Sequence, residues 1–176
     1  GRSGSGKSTL TLGLLHAQWS CLGDDALLLR RIDHHIEAQA LRRGFGCTAQ
    51  TAIQFPKLAP LLRTAPALSD KKKLLDLENL WPDCFTPRCT PKLIVFPEVA
   101  DASHSRLSAL TSSQTLCALM EQSVGILTDR TIAQHQMMIL NQLTQQASGY
   151  RLHTGRDIYT EPERVANLLR LANQKG

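Results

Sequence analysis

The chain opens on Gly1-Arg2-Ser3-Gly4-Ser5-Gly6-Lys7-Ser8-Thr9, and this stretch decides how the rest is read. It fits the pattern G-x-x-x-x-G-K-[ST] at Gly1, Gly6, Lys7 and Ser8. Closely spaced glycines let successive backbone N–H groups curl around an oxyanion. An apolar run follows at once, with Leu10, Leu14 and Leu15 on one side, so a helix over 7–18 is expected to start inside the loop. Its positive dipole end then faces the phosphates of a nucleotide. Gly1, Gly4, Ser5, Gly6, Lys7, Ser8 and Thr9 form the expected nucleotide-binding set. The Lys7 ammonium reaches the β- and γ-phosphates of ATP, and the Ser8 hydroxyl takes one position on Mg²⁺. A glycine-serine linker shares the composition, but not the Lys-Ser-Thr and the helix that follow in register.

Working outward, the next feature is Asp24-Asp25, seventeen residues after Lys7. A helix of about three turns and a short strand over 19–22 return the chain beside the loop. The paired carboxylates then lie next to the γ-phosphate. Phosphoryl transfer needs a metal ligand and a group that orients or deprotonates the attacking hydroxyl. Two adjacent carboxylates can divide those tasks, because neighbouring like charges favour different protonation states. Gly23-Asp24-Asp25 is also good turn chemistry, and a plain strand-end turn is the competing explanation.

Beyond the loop, an α/β pattern is expected. Extended segments are read at 26–29, 92–96, 106–110 and 150–153, and 36–42 reads as helix or strand. Leu93-Ile94-Val95-Phe96 is unbroken and apolar, so it is expected to be central and buried, with Pro97 ending it. Gly44-Phe45-Gly46 reads as a turn, and 48–54 as a short helix before Phe55-Pro56. Lys71-Lys72-Lys73 lies in a polar stretch expected to be a solvated turn leading into a strand. Thr111-Ser112-Ser113-Gln114 is a capping box, Asp129 is the expected cap of a helix to about 146, and Thr160-Glu161-Pro162-Glu163 opens a last helix to 171.

Composition narrows the class. The 176 residues, 42% hydrophobic, suit one domain with a real core. Residues 1–176 are read as one such domain, whose loop-bearing strand and upstream segment are expected to precede Gly1. No eighteen-residue apolar run occurs, so no membrane is expected among the partners. The net charge of +5 is spread over Arg30-Arg31, Arg42-Arg43 and Lys71-Lys72-Lys73 without interleaved aromatics, and nucleic acid is not an expected partner. Cys21, Cys47, Cys84, Cys89 and Cys117 are odd in number and contain no C-x-x-C, which fits a reduced, cytoplasmic compartment.

The loop, one helix and a short strand ending in Asp24-Asp25 together resemble the catalytic domain of the bacterial HPr kinase/phosphorylase family. Later segments are similar to HPr-kinase-like proteins of peptide-modification clusters, including lasso-peptide kinases: Phe55-Pro56, Pro91 through Glu98, Ser105-Arg106-Leu107, Tyr150-Arg151-Leu152 and Gly155-Arg156-Asp157. The resemblance is strong over 1–29 and diffuse afterwards. It implies a phosphoenolpyruvate-carboxykinase-like P-loop fold, a mixed sheet flanked by helices. It implies an ATP-dependent kinase that phosphorylates a serine hydroxyl of a peptide or small protein. By it, Asp24 is the general base, Lys7 holds the β/γ-phosphates, and Ser8 and Asp25 serve the metal. Glu37 stands for a metal-binding glutamate in an Arg-Gly signature that Arg42-Arg43-Gly44-Phe45-Gly46 matches only in part. The family's upstream catalytic histidine has no counterpart in the sequence given, so phosphorylase activity is not carried over. The family's hexamers leave a homo-oligomer open.

Other residues carry two readings each. His34-His35 with Glu37 is a metal site or an ordinary turn, and the Cys84/Cys89 pair is a zinc site or two ordinary thiols. Arg42, Arg43 and Arg156 hold nucleotide or substrate phosphate, or are solvated and salt-bridged. Glu98 resembles a metal-side carboxylate after an apolar strand, although Pro97 interrupts that pattern. Two further functions stay open: a small-molecule kinase of the shikimate or nucleoside-monophosphate type, and a nucleotide-binding switch without transfer.

Overall fold

The computed structural model describes residues 4–24, 26–41, 44–123 and 130–175. The chain is mixed α/β, with small sheets flanked by helices. Helix α1 (Lys7–His16) starts where Gly6 adopts φ 92°, a left-handed value that a side chain would strain. A Cβ at Gly6 would also lie 3.3 Å from the Val99 side chain. Gln18, at φ 61°, turns the chain out of the helix. The strand expected over 19–22 is reduced to one parallel bridge, Cys21 to Phe85.

Three sheets follow. Strands β1 (Leu27–Ile32), β2 (His35–Ala40) and β5 (Arg88–Cys89) form an antiparallel sheet with β2 in the middle. Strands β3 (Phe45–Thr48) and β4 (Lys72–Leu75) pair antiparallel, Phe45 opposite Leu75 and Thr48 opposite Lys72. The third sheet is mixed. Its centre is β8 (Ser148–Thr154), parallel to β6 (Leu93–Val99) and antiparallel to β7 (Arg106–Ala109).

Two expectations change here. Phe45 belongs to a strand, because its fully buried ring packs with Leu75 in the core, and Gly44, at φ 134°, precedes the strand. The apolar segment 93–96 is half-buried and extends through Pro97. Among the described residues β6 pairs with β8, and Pro97 sits within β6 opposite Leu152.

The remaining helices are α2 (Ala49–Ile53), α3 (Ala59–Thr64), α4 (Ser112–Met120), α5 (Arg130–Gln146), α6 (Asp157–Thr160) and α7 (Pro162–Lys175). The Thr111 capping box is formed, with Gln114 N–H donating to the Thr111 hydroxyl at 3.2 Å and Thr111 N–H donating to the Gln114 side chain at 2.9 Å. Such a cap contributes about 1 kcal/mol. Asp129 lies outside the described residues.

Helix α1 sits between two cores. Leu12 and Leu15 pack with Phe45, Phe55, Leu58, Leu75 and Leu77. Leu10, joined by Leu14, packs with Leu152, Ile158 and Val165. A helix buried on both sides cannot show a single apolar stripe, which is why its periodicity is only partly legible. A third core joins Ile36 to Leu143 and Ala147. There Gln146 clamps β2, accepting from Ile36 N–H at 2.6 Å and donating to the Ile36 and Pro91 carbonyls at 2.9 and 3.0 Å.

Candidate active site

The loop and the C-terminal end of β6 open onto a cavity of about 590 Å³. Gly4, Gly6, Lys7, Ser8 and Thr9 line one wall, and Thr48, Gln50, Thr51, Gln54 and Lys72 face them. The first turn of a helix leaves its N–H groups without intrahelical partners, so this wall presents donors and positive dipole to an anion. Ser5 Oγ beside it is buried without a hydrogen-bond partner among the described residues.

Asp24 lies behind Ser8 and Lys72, both of which line the cavity. Its side chain is only 10% exposed. Oδ2 accepts from Gly46 N–H at 3.1 Å and lies 3.6 Å from the Lys72 ammonium, while Oδ1 lies 3.4 Å from the Ser8 hydroxyl. The absence of a side chain at Gly46 permits this. A Cβ there would lie 3.1 Å from Asp24 Oδ2 and 2.8 Å from the Leu68 side chain. Burial pushes the Cys21 thiol up to about 12, helped by Cys84 and then Asp24. Burial and the Asp24 carboxylate push Cys47 up to about 11, opposed by Lys72. Both thiols are therefore protonated, apolar walls behind the carboxylate at neutral pH.

The donor set fits Mg²⁺. The Ser8 and Asp24 oxygens, 3.4 Å apart, are hard donors and lie near the spacing of adjacent octahedral positions, about 3 Å for Mg–O bonds of about 2.1 Å. Mg²⁺ takes only one or two protein oxygens and completes its shell with phosphate and water. It needs no larger cluster, and among the described residues no group of three His, Cys, Asp or Glu side chains is assembled for a metal.

The other sequence candidates separate. Gly1, Asp25, Arg42 and Arg43 lie outside the described residues. Glu37 does not line the loop cavity. Its two carboxylate oxygens pair with Arg30 at 3.1 Å and Arg88 at 3.7 Å on the β1–β2–β5 sheet, and among the described residues neither Ser8 nor Asp24 is a partner of it. His34-His35 and Cys84/Cys89 join no metal cluster among the described residues. Glu98 pairs with Arg151 at 3.1 Å, and alternation along β6 turns it away from the loop that Val99 faces. Arg156 is exposed and pairs with Asp101 at 2.8 Å.

Lys72 joins the candidate site, lining the cavity and lying 3.6 Å from Asp24. It looked like one of three lysines in a solvated turn. The signal was available in alternation: on β4, Lys72 faces the cavity, while Lys73 bonds the Leu62 carbonyl at 2.8 Å instead.

No family model matches the chain, and no curated protein or solved structure is significantly similar to it. No helix among the described residues is long and apolar enough to cross a membrane.

Proposed function

We propose that this chain is an ATP-dependent kinase that transfers the γ-phosphoryl group to a serine hydroxyl of a peptide or small protein, on a phosphoenolpyruvate-carboxykinase-like P-loop fold. One observation carries the reading: the Asp24 carboxylate is held against Ser8 and Lys72, two residues that line the loop cavity together with Lys7.

In this reading the acceptor hydroxyl lies between Asp24 and the γ-phosphorus. Asp24 takes its proton as the acceptor oxygen–phosphorus bond forms, the bond to the β–γ bridging oxygen breaks, and ADP leaves with that oxygen. The proton on Asp24 then returns to solvent. Lys7 and Lys72 hold the charge that accumulates on the transferred group. Ser8 would hold Mg²⁺, with phosphate and water oxygens completing its shell, and the ion would neutralise phosphate charge. Thr48, Gln50, Thr51 and Gln54 give the facing wall neutral hydrogen-bonding character, suited to a peptide segment rather than an anionic metabolite.

The test is intact-mass measurement of serine-containing precursor peptides and HPr-like proteins after incubation with Mg-ATP. The expected result is the gain of one phosphoryl group with wild type and none with Asp24→Asn, which still binds ATP. Equal phosphorylation by the Asn variant would remove Asp24 from its role. ATP binding without transfer to any acceptor, including small hydroxyl compounds, would leave the switch reading standing.

A further inference from the structure

A second cavity, of about 260 Å³, adjoins the first. The two share Gly6, Thr9, Val99 and Tyr159 and then diverge. The first runs toward Ser8 and Lys72, and the second toward Ala100, Thr154 and Ile158. Asp101 and Arg156, paired at 2.8 Å, also line the second.

We propose that this groove takes the nucleoside of the triphosphate: a neutral planar base with its ribose. The inference rests on the phosphate-loop reading above. A triphosphate is a linear chain. If its terminal phosphorus meets Ser8, Lys72 and Asp24, and the loop cradles the middle of the chain, the nucleoside must leave on the other side of Gly6 and Thr9. The second groove lies there. The acceptor cannot use it, because the acceptor must reach Asp24.

The lining agrees in chemistry. Val99, Ala100, Ile158 and Tyr159 give apolar surface for a ring, and Val99 is 71% exposed and Tyr159 39% exposed. Arg156 has its charge met by Asp101, so the groove is electrically balanced and suits a neutral group better than a phosphate. An independent feature points to a ligand. Thr154 is 4% exposed and lines the groove, and its hydroxyl has no hydrogen-bond partner among the described residues. Buried hydroxyls nearly always have a partner, and rotation of the Thr154 side chain would offer this one to a base or ribose atom in the groove. The groove is also firmly built. Asp157 accepts from the Ser105 hydroxyl at 2.6 Å and from Ser105 N–H at 2.8 Å, and Gly155 N–H donates to Ser105 at 2.9 Å.

The experiment compares Mg-ATP with Mg-tripolyphosphate, which has the phosphates and no nucleoside. Dissociation constants are measured by calorimetry for wild type, Thr154→Val and Ala100→Trp, with melting curves confirming that each variant is folded. The expected result is ATP binding weakened several-fold by the lost hydrogen bond in Thr154→Val and about tenfold or more by the filled groove in Ala100→Trp. Tripolyphosphate binding stays within about twofold of wild type. Equal weakening of both ligands, or ATP binding unchanged in both variants, overturns the groove assignment. A wild-type protein that binds tripolyphosphate but gains nothing from the nucleoside overturns it too. Binding of neither ligand is a separate outcome, which removes the phosphate-loop reading and this inference with it.

Discussion

Asp24 and Ser8, sixteen positions apart, bring carboxylate and hydroxyl oxygens to 3.4 Å of each other. Lys72 sits on the opposite side of the same carboxylate at 3.6 Å. Lys72→Ala should therefore lower kcat for peptide phosphorylation by about 10²-fold, the scale for losing one donor to developing transition-state charge. Lys72→Arg should recover part of the rate. A KM for ATP that rises with kcat unchanged would make Lys72 a ground-state binder instead.

Gly46 supports that carboxylate through its N–H at 3.1 Å. Gly46→Ala places a Cβ 3.1 Å from Asp24 Oδ2, so the carboxylate must shift. We expect kcat to fall about tenfold or more, since small displacements of a catalytic group are costly, while tripolyphosphate binding at the loop is retained. Steady-state kinetics with calorimetry on one preparation separates the two effects.

The buried Asp157–Ser105 pair fixes the corner that carries Tyr159. Asp157 is 1% exposed and also lies 3.6 Å from Arg164. Asp157→Ala should cost about 2–5 kcal/mol, because it strips two buried Ser105 donors of their acceptor at about 1–3 kcal/mol each, while half-exposed Arg164 keeps water as a partner. Ser105→Ala should cost about 1–3 kcal/mol. Urea denaturation measures both.

His16 sets a pH dependence. Its pKa is lowered from 6.5 by burial, assisted by the Lys57 charge, and the ring stacks on Phe55 at 5.5 Å and meets Trp81 edge-on at 5.0 Å. With the folded value below the unfolded one, the unfolded chain binds more protons in the interval between them. This contribution is complete above about pH 6.5 and is lost as pH falls through that interval. Melting temperatures at pH 5.5 and 7.5 should differ more for wild type than for His16→Phe.

Thiol chemistry reports on the walls behind Asp24. Cys21, Cys47 and Cys84 are buried, and Cys89 and Cys117 are exposed. At pH 8 an aromatic disulfide reagent should titrate Cys117 and Cys89 in the native protein, Cys117 faster because burial and Glu37 raise the Cys89 pKa. The three buried thiols should react only on unfolding. Fast labelling of Cys21 or Cys47 would show the Asp24 pocket open to solvent.

The sequence by itself determined what depends on neighbours in the chain. The loop glycines, the helix at Lys7 and the Thr111 capping box are local geometry, and side-chain type with spacing specifies them. It also determined that an aspartate would follow one helix later, although not what would hold it. The tertiary structure decided the partners. Lys72 and Glu37 were both charged residues in polar company, and only strand pairing sent Lys72 to Asp24 and Glu37 to Arg30 and Arg88. Likewise the segment 93–96 reads as a fully buried strand by apolarity alone, yet it is half-buried and runs on through Pro97, because neighbours distant in sequence set how far a strand is covered. A charge or an apolar run states what a residue can do. Which partner it meets depends on contacts between distant segments, and those exist only once the chain has folded.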